Sequence, residues 1–225
     1  MTVREILFGL ALFSVALNTI ANPLPLTADL KFESRVPREG TPTTDLPLVL
    51  EDNVFSSAYY DVVEILSSRN RCSEFFGDST TIGVFNQMVA KMRKDYFSAD
   101  IGIRMSGKTE NILNKQTNRI YRLFEKVSLN GNGPFYRSRK FNSEPSLPGI
   151  GTYEANTREA RVLMLLHELG HTVKSDDGKW LLPDDGDDEG LSRRNSMKVE
   201  KECGQEIANV GKVARARLKQ ADKNH

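Results

Sequence analysis

Apolar residues recur at helical spacing early in the patterned part of the chain. In NVFSSAYYDVVEILSSRN, residues 53–70, they fall at Val54, Tyr59, Val62, Val63 and Leu66, and in TTIGVFNQMVAKMRKD, residues 80–95, at Val84, Met88, Val89 and Met92. Side chains three or four apart share one helix face, so the spacing predicts two amphipathic helices. ADIGIRMSG (99–107) and NRIYRLFEKVSL (118–129) are short, rich in β-branched or aromatic residues and end in turn residues, so both read as strands. The Asn130-Gly131 and Asn132-Gly133 pairs that follow tolerate positive φ and signal a hairpin. A small antiparallel sheet is therefore expected ahead of the next helix.

That helix is written in GTYEANTREARVLMLLHELGHTVK, residues 151–174. Asn156 and Glu159 have capping-box spacing, which starts the helix there and runs it to about Val173. At 100° per residue, Val162, Leu165, Leu166, Leu169 and Val173 gather on one side, with His167 and His171 on the other. Leu163 and Met164 flank the histidine face, so a cleft with an apolar rim is expected. An acidic loop at 176–190 follows, and helical spacing resumes through Val199, Cys203, Ile207 and Val210, with a polar tail beyond about Leu218 that should fray.

The beginning of the chain changes the picture of where the protein works. MTVREILFGLALFSVALNTIA, residues 1–21, has a short charged start, an apolar run from Ile6 to Leu17 and a small-residue end, and reads as a signal peptide. The apolar run is short beside the roughly 20 residues a spanning helix needs, so no stable membrane insertion is expected after cleavage. Secreted or periplasmic location follows. Residues 22–50 carry Pro23, Pro25, Pro37, Pro42 and Pro47 among polar residues and read as an irregular lead-in to one α+β domain over 51–225.

Net charge is +1, which gives no argument for nucleic acid or an anionic membrane as partner, and neither is expected. Cys72 and Cys203 are the only cysteines, and either one disulfide or two buried thiols suits an exported chain.

The chemistry concentrates on the fifth expected element. Of three histidines in the chain, His167 and His171 stand four apart on a helix, which stacks their imidazoles at a separation that can chelate Zn²⁺. The third, His225, ends a polar tail. Glu168 lies about 100° further round the helix, unsuited to the same ion but able to act as general base toward an attacking water.

His167, Glu168, Leu169, Gly170 and His171 resemble the active-site helix of the zincin metallopeptidases, with its His-Glu-x-x-His pattern. The resemblance implies a zincin-like fold with a helix backed by a small sheet, a catalytic Zn²⁺, and peptide or protein substrates laid along an edge strand. The wider pattern, GTYEANTREARVLMLLHELGH with WLLPDDG and LSRRN, also looks like a set of uncharacterised exported bacterial proteins.

A third ligand has several candidates. Asp177 stands where the metzincin branch places a third histidine, with Lys174 in place of its glycine. Glu200 and Glu202 lie on a later helix, as in a thermolysin-like branch. Between them, Trp180, Leu181 and Leu182 can anchor LLPDDGDDEG, Pro183 stiffens it and Gly186 allows a turn, which favours Asp185 over Asp177, Asp188 and Glu200. The seven acids between 176 and 189 also raise a Ca²⁺ site, against a solvated acidic turn, which is the simpler reading. Tyr136 and Tyr153 are candidate oxyanion donors.

The expectation is an exported zinc metallopeptidase, with Glu168 as base and His167, His171 and Asp185 on the metal. The alternative is a non-catalytic metal-binding or interaction protein on the same scaffold, marked by a closed fourth position with two loop acids on the ion.

Overall fold

The computed structural model describes residues 46–115, 117–139 and 146–221; the expected signal peptide and most of the lead-in lie outside them. Among the described residues, six helices and a three-stranded sheet make a mixed α+β fold: α1 (Pro47–Glu51), α2 (Asn53–Ser67), α3 (Arg71–Phe76), α4 (Thr81–Lys91), β1 (Met92–Asp95), β2 (Ile103–Asn114), β3 (Arg119–Asn130), α5 (Arg158–Thr172) and α6 (Glu189–Ala221).

The lead-in is helical at its end, contrary to expectation. Pro47 occupies the first turn of α1, where its missing N–H costs nothing, and Leu48 and Val49 are buried. Asp52 then caps α2, its Oδ1 accepting from the N–H groups of Val54 and Phe55. The face of α2 formed by Phe55, Tyr59, Val62 and Leu66 is fully enclosed, and the Tyr59 ring stacks 5.5 Å from Phe85 of α4.

The sheet departs from the expected antiparallel arrangement. Its order is β1-β3-β2, with β2 antiparallel to β3 but β1 parallel to it, so the sheet is mixed. β1 is Met92–Asp95, residues whose apolar position continued a helical pattern; α4 ends at Lys91, and Met92 Cα pairs with Val127 instead. β2 runs past Gly107, where φ is +85° and the register shifts between Ser106 and Thr109.

The Asn130-Gly131 pair makes no hairpin between strands. β3 ends at Asn130, and the hairpin turn lies instead between β2 and β3, with Asn118 at φ +54°. Asn130 is fully buried, and its amide stitches the loop after β1 to β3. Its Oδ1 accepts from the N–H of Phe97 and Asn132, and its Nδ2 donates to the carbonyls of Ser98 (2.6 Å) and Ile101 (2.8 Å). The side chain, rather than φ freedom, is what this position uses.

α5 begins one residue later than its capping signal suggested. Thr157 is the cap, accepting from Ala160 N–H, while Asn156 takes φ +65° and accepts from Arg161. Arg158 pairs bidentately with the buried Asp61, fixing the start of α5 to α2. A disulfide joins Cys72 of α3 to Cys203 of α6, settling the choice left open by the sequence. Val199, Cys203 and Ile207 form the buried stripe of α6, as the spacing predicted.

Candidate metal centre

α5 is buried on nearly every side. Leu163 and Met164, expected to rim a cleft, are 0% and 5% exposed, and His167 and His171 are also buried. Leu163 lies against Gly151 and Met164 against Gly102, and the chain that follows covers the end of the helix: Leu182 N–H donates to Gly170 O (3.0 Å), Leu181 N–H to Val173 O (2.9 Å), and Lys174 bridges to Trp180. Carbonyls at a helix C-terminus lack intrahelical partners, and this returning segment supplies them. Gly170 permits the approach, because a Cβ there would sit 2.6 Å from Leu182 Cδ1.

The return delivers Asp185 to the histidines. Asp185 Oδ2 stands 3.0 Å from His167 Nε2 and 3.4 Å from His171 Nε2, and the two Nε2 atoms are 3.0 Å apart. Donor atoms around a tetrahedral Zn²⁺ with bonds of about 2.0–2.1 Å are separated by about 3.3–3.4 Å, close to this triangle. With neutral rings and an ionised carboxylate, every placement of protons leaves one edge with lone pair against lone pair or N–H against N–H. A cation satisfies all three edges together, so the residues fit a metal.

The same contacts shift the titration of both partners. Burial raises the Asp185 carboxyl, but its contacts with both imidazoles outweigh this and hold it well below the usual carboxylate range. Burial depresses His171, and the carboxylates of Asp185 and Glu168 more than reverse it. The carboxylate is therefore held ionised, and the His171 imidazole favours a proton beside it.

Around this triangle lies a second layer that the sequence did not reveal. Ser196 Oγ of α6 meets His167 Nδ1 at 2.9 Å, and Asn195 Nδ2 donates to Asp185 Oδ2 (3.2 Å) and to Pro183 O (3.0 Å). Such partners fix ring orientation and ligand rotamer. Arg122 of β3 donates from Nε to His171 O (2.7 Å) and forks onto Asp184, under the Trp180 ring at 4.3 Å. Ser196 carried only a weak signal, its place on the helix after the acidic loop; Arg122 carried none.

The other candidates are committed elsewhere. Asp177 accepts from Ser175 Oγ and Lys179 N–H in a local turn, and Asp188 accepts from Leu191 N–H at the start of α6. Glu200 holds the Thr152 N–H and hydroxyl, and Glu202 pairs with Arg71. Tyr136 donates to Asp52 and Tyr153 to Gly204 O. Among the described residues, the one His/Cys/Asp/Glu cluster suited to an ion is His167, His171 and Asp185, so no acid cluster for Ca²⁺ forms.

Glu168 is half-buried, and burial pushes its carboxyl up despite the neighbouring imidazoles. A surface depression lined by Thr81, Asn114, Tyr121 and Lys174 lies apart from these residues. No known protein family, curated protein or solved structure matches the chain.

Proposed function

We propose that this chain is an exported zinc-dependent peptidase of zincin-like architecture, with His167, His171 and Asp185 as metal ligands and Glu168 as general base. The observation that carries the reading is the triangle of two Nε2 atoms and one carboxylate oxygen, with edges of 3.0, 3.0 and 3.4 Å.

A bound Zn²⁺ would supply Lewis-acid polarisation of the scissile carbonyl and acidify the attacking water. The remaining roles belong to the chain. Glu168 follows His167 directly and is half-buried, and a carboxyl raised by burial is suited to taking a proton and returning it to the leaving amine. Ser196 keeps the His167 ring oriented with Nε2 toward the site. Asp184 is engaged by Arg122, so the loop offers one carboxylate rather than two, which supports three ligands and an open position over a closed structural site.

β2 lies at a sheet edge, and the residue that precedes it comes close to α5: a Cβ at Gly102 would meet Met164 Sδ at 2.5 Å. An edge strand beside the helix supports a peptide substrate. The disulfide supports an oxidising compartment, in line with the expected export signal.

Elemental analysis of the purified chain tests the reading, beside Asp185→Ala and Glu168→Gln. Stoichiometric zinc is expected in the parent, lost with Asp185→Ala and retained with Glu168→Gln, whose turnover of a peptide library drops by about 10²–10⁴-fold. A parent that takes up no zinc after reloading would end the metal reading. Full turnover by Glu168→Gln would end the assigned mechanism.

A further inference from the structure

We infer that Arg122 is the positioning residue of this metal centre, the group that holds the histidine helix and the ligand loop in register so that Asp185 reaches the two imidazoles. The inference rests on the metal reading above and adds the element that makes the third ligand available.

Arg122 lies on the central strand and is 6% exposed. Its Nε donates 2.7 Å to His171 O, the backbone of one ligand, and its Nη1 donates 3.0 Å to Asp184 Oδ2, next in sequence to another, while Nη2 reaches Asp184 Oδ1. Trp180 at 4.3 Å and Phe124 at 5.1 Å set the plane of the guanidinium. One rigid cation therefore fixes the distance between the end of α5 and the loop that returns to it. The sheet supplies the rigidity: Arg122 pairs with Asn111 of β2, and its neighbour Tyr121 bridges to Val173 just after α5.

A lysine cannot replace this. Its ammonium is a point charge without the planar fork that serves a carboxylate and a backbone carbonyl in fixed directions. The cation also sits at the C-terminal end of a helix dipole, where positive charge is favoured. Asp184, by contrast, is 62% exposed, so its carboxylate contributes little to stability alone and matters here through the direction it gives Asp185.

The test compares the parent with Arg122→Lys, Asp184→Asn and the double variant. Zinc affinity is read by competition with a chromophoric chelator, site geometry by the visible absorption of the Co²⁺-loaded chain, and loop order by amide hydrogen exchange at Leu181 and Leu182 without metal. Both single variants are expected to bind zinc about 10–100-fold more weakly, the range for loss of an outer-shell partner. The double variant should bind no more weakly than Arg122→Lys, since both act through one contact.

Asp184→Asn should unfold at the parental temperature, separating positioning from folding. Exchange at Leu182 should accelerate in Arg122→Lys. Parental zinc affinity and Co²⁺ spectra in both single variants, or losses that add in the double, would overturn the role of Arg122. A parent that binds no zinc overturns the metal reading itself, and the exchange measurement still reports whether Arg122 orders the loop.

Discussion

Ser196 and His167, 29 residues apart, meet at 2.9 Å between Oγ and Nδ1, both of them buried. The contact orients the Nε2 atom toward Asp185 and makes α6 part of the candidate site. Ser196→Ala is expected to weaken zinc binding about 10-fold or more, with the fold retained. Metal competition titration with circular dichroism checks both halves, and parental affinity would show that the hydroxyl is dispensable.

Gly170 lies between the histidines, where a Cβ would press on Leu182 Cδ1 and Cγ at 2.6 and 2.7 Å. Gly170→Ala improves helix propensity yet should destabilise, by about 1–3 kcal/mol, because the core must repack around the added methyl. The displaced segment carries Asp184 and Asp185, so zinc affinity should fall with it. Urea unfolding and metal titration of one preparation measure the two effects.

The Cys72–Cys203 bridge closes a loop spanning 131 positions and pins α6 to α3. Replacing both cysteines with serine should lower stability by about 3–5 kcal/mol in the chain-entropy account. Denaturant unfolding with and without reductant is the check: reductant should shift the parent and leave the double variant unmoved.

Asn130 separates side-chain use from backbone freedom. If positive φ were its purpose, Asn130→Gly would be harmless. Since its amide satisfies loop N–H and C=O groups, Asn130→Gly and Asn130→Ala should each cost about 1–3 kcal/mol through unsatisfied buried partners. A neutral glycine variant would reverse this assignment.

Asp52 gives a pH-dependent term. Burial raises its carboxyl, but hydrogen bonds from Phe55 N–H, Tyr136 and Lys94 outweigh burial and leave it below its ordinary value. A depressed folded value means the unfolded chain binds the proton more readily. The contribution to stability is therefore complete above the unfolded pKa of about 3.9, and is lost as pH falls through the folded value. Asp52→Asn should flatten the acid limb of the stability curve while leaving part of the cap, as chemical denaturation from pH 7 downward would show.

What the sequence determined by itself was local. The i, i+4 placement of His167 and His171, the core stripe of α5 and the stripes of α2 and α6 follow from helix geometry within a few residues, so periodicity exposed them. Asp185 could be favoured because anchors and turn residues surround it in sequence, but only tertiary packing brought its carboxylate to the imidazoles and took Asp177, Asp188 and Glu200 elsewhere.

Strand pairing was equally beyond local pattern. Met92 fits a helix face as well as a strand, and its parallel partner Val127 lies far along the chain. The sequence also gave no sign of Arg122, because a buried guanidinium is tolerable only when distant groups, here His171 O and Asp184, converge to satisfy it. Periodicity reports which face a residue occupies within its own element. Which faces meet is decided by burying apolar area and satisfying polar groups across the whole chain, and the placement of Asp185 beside the two imidazoles belongs to that level.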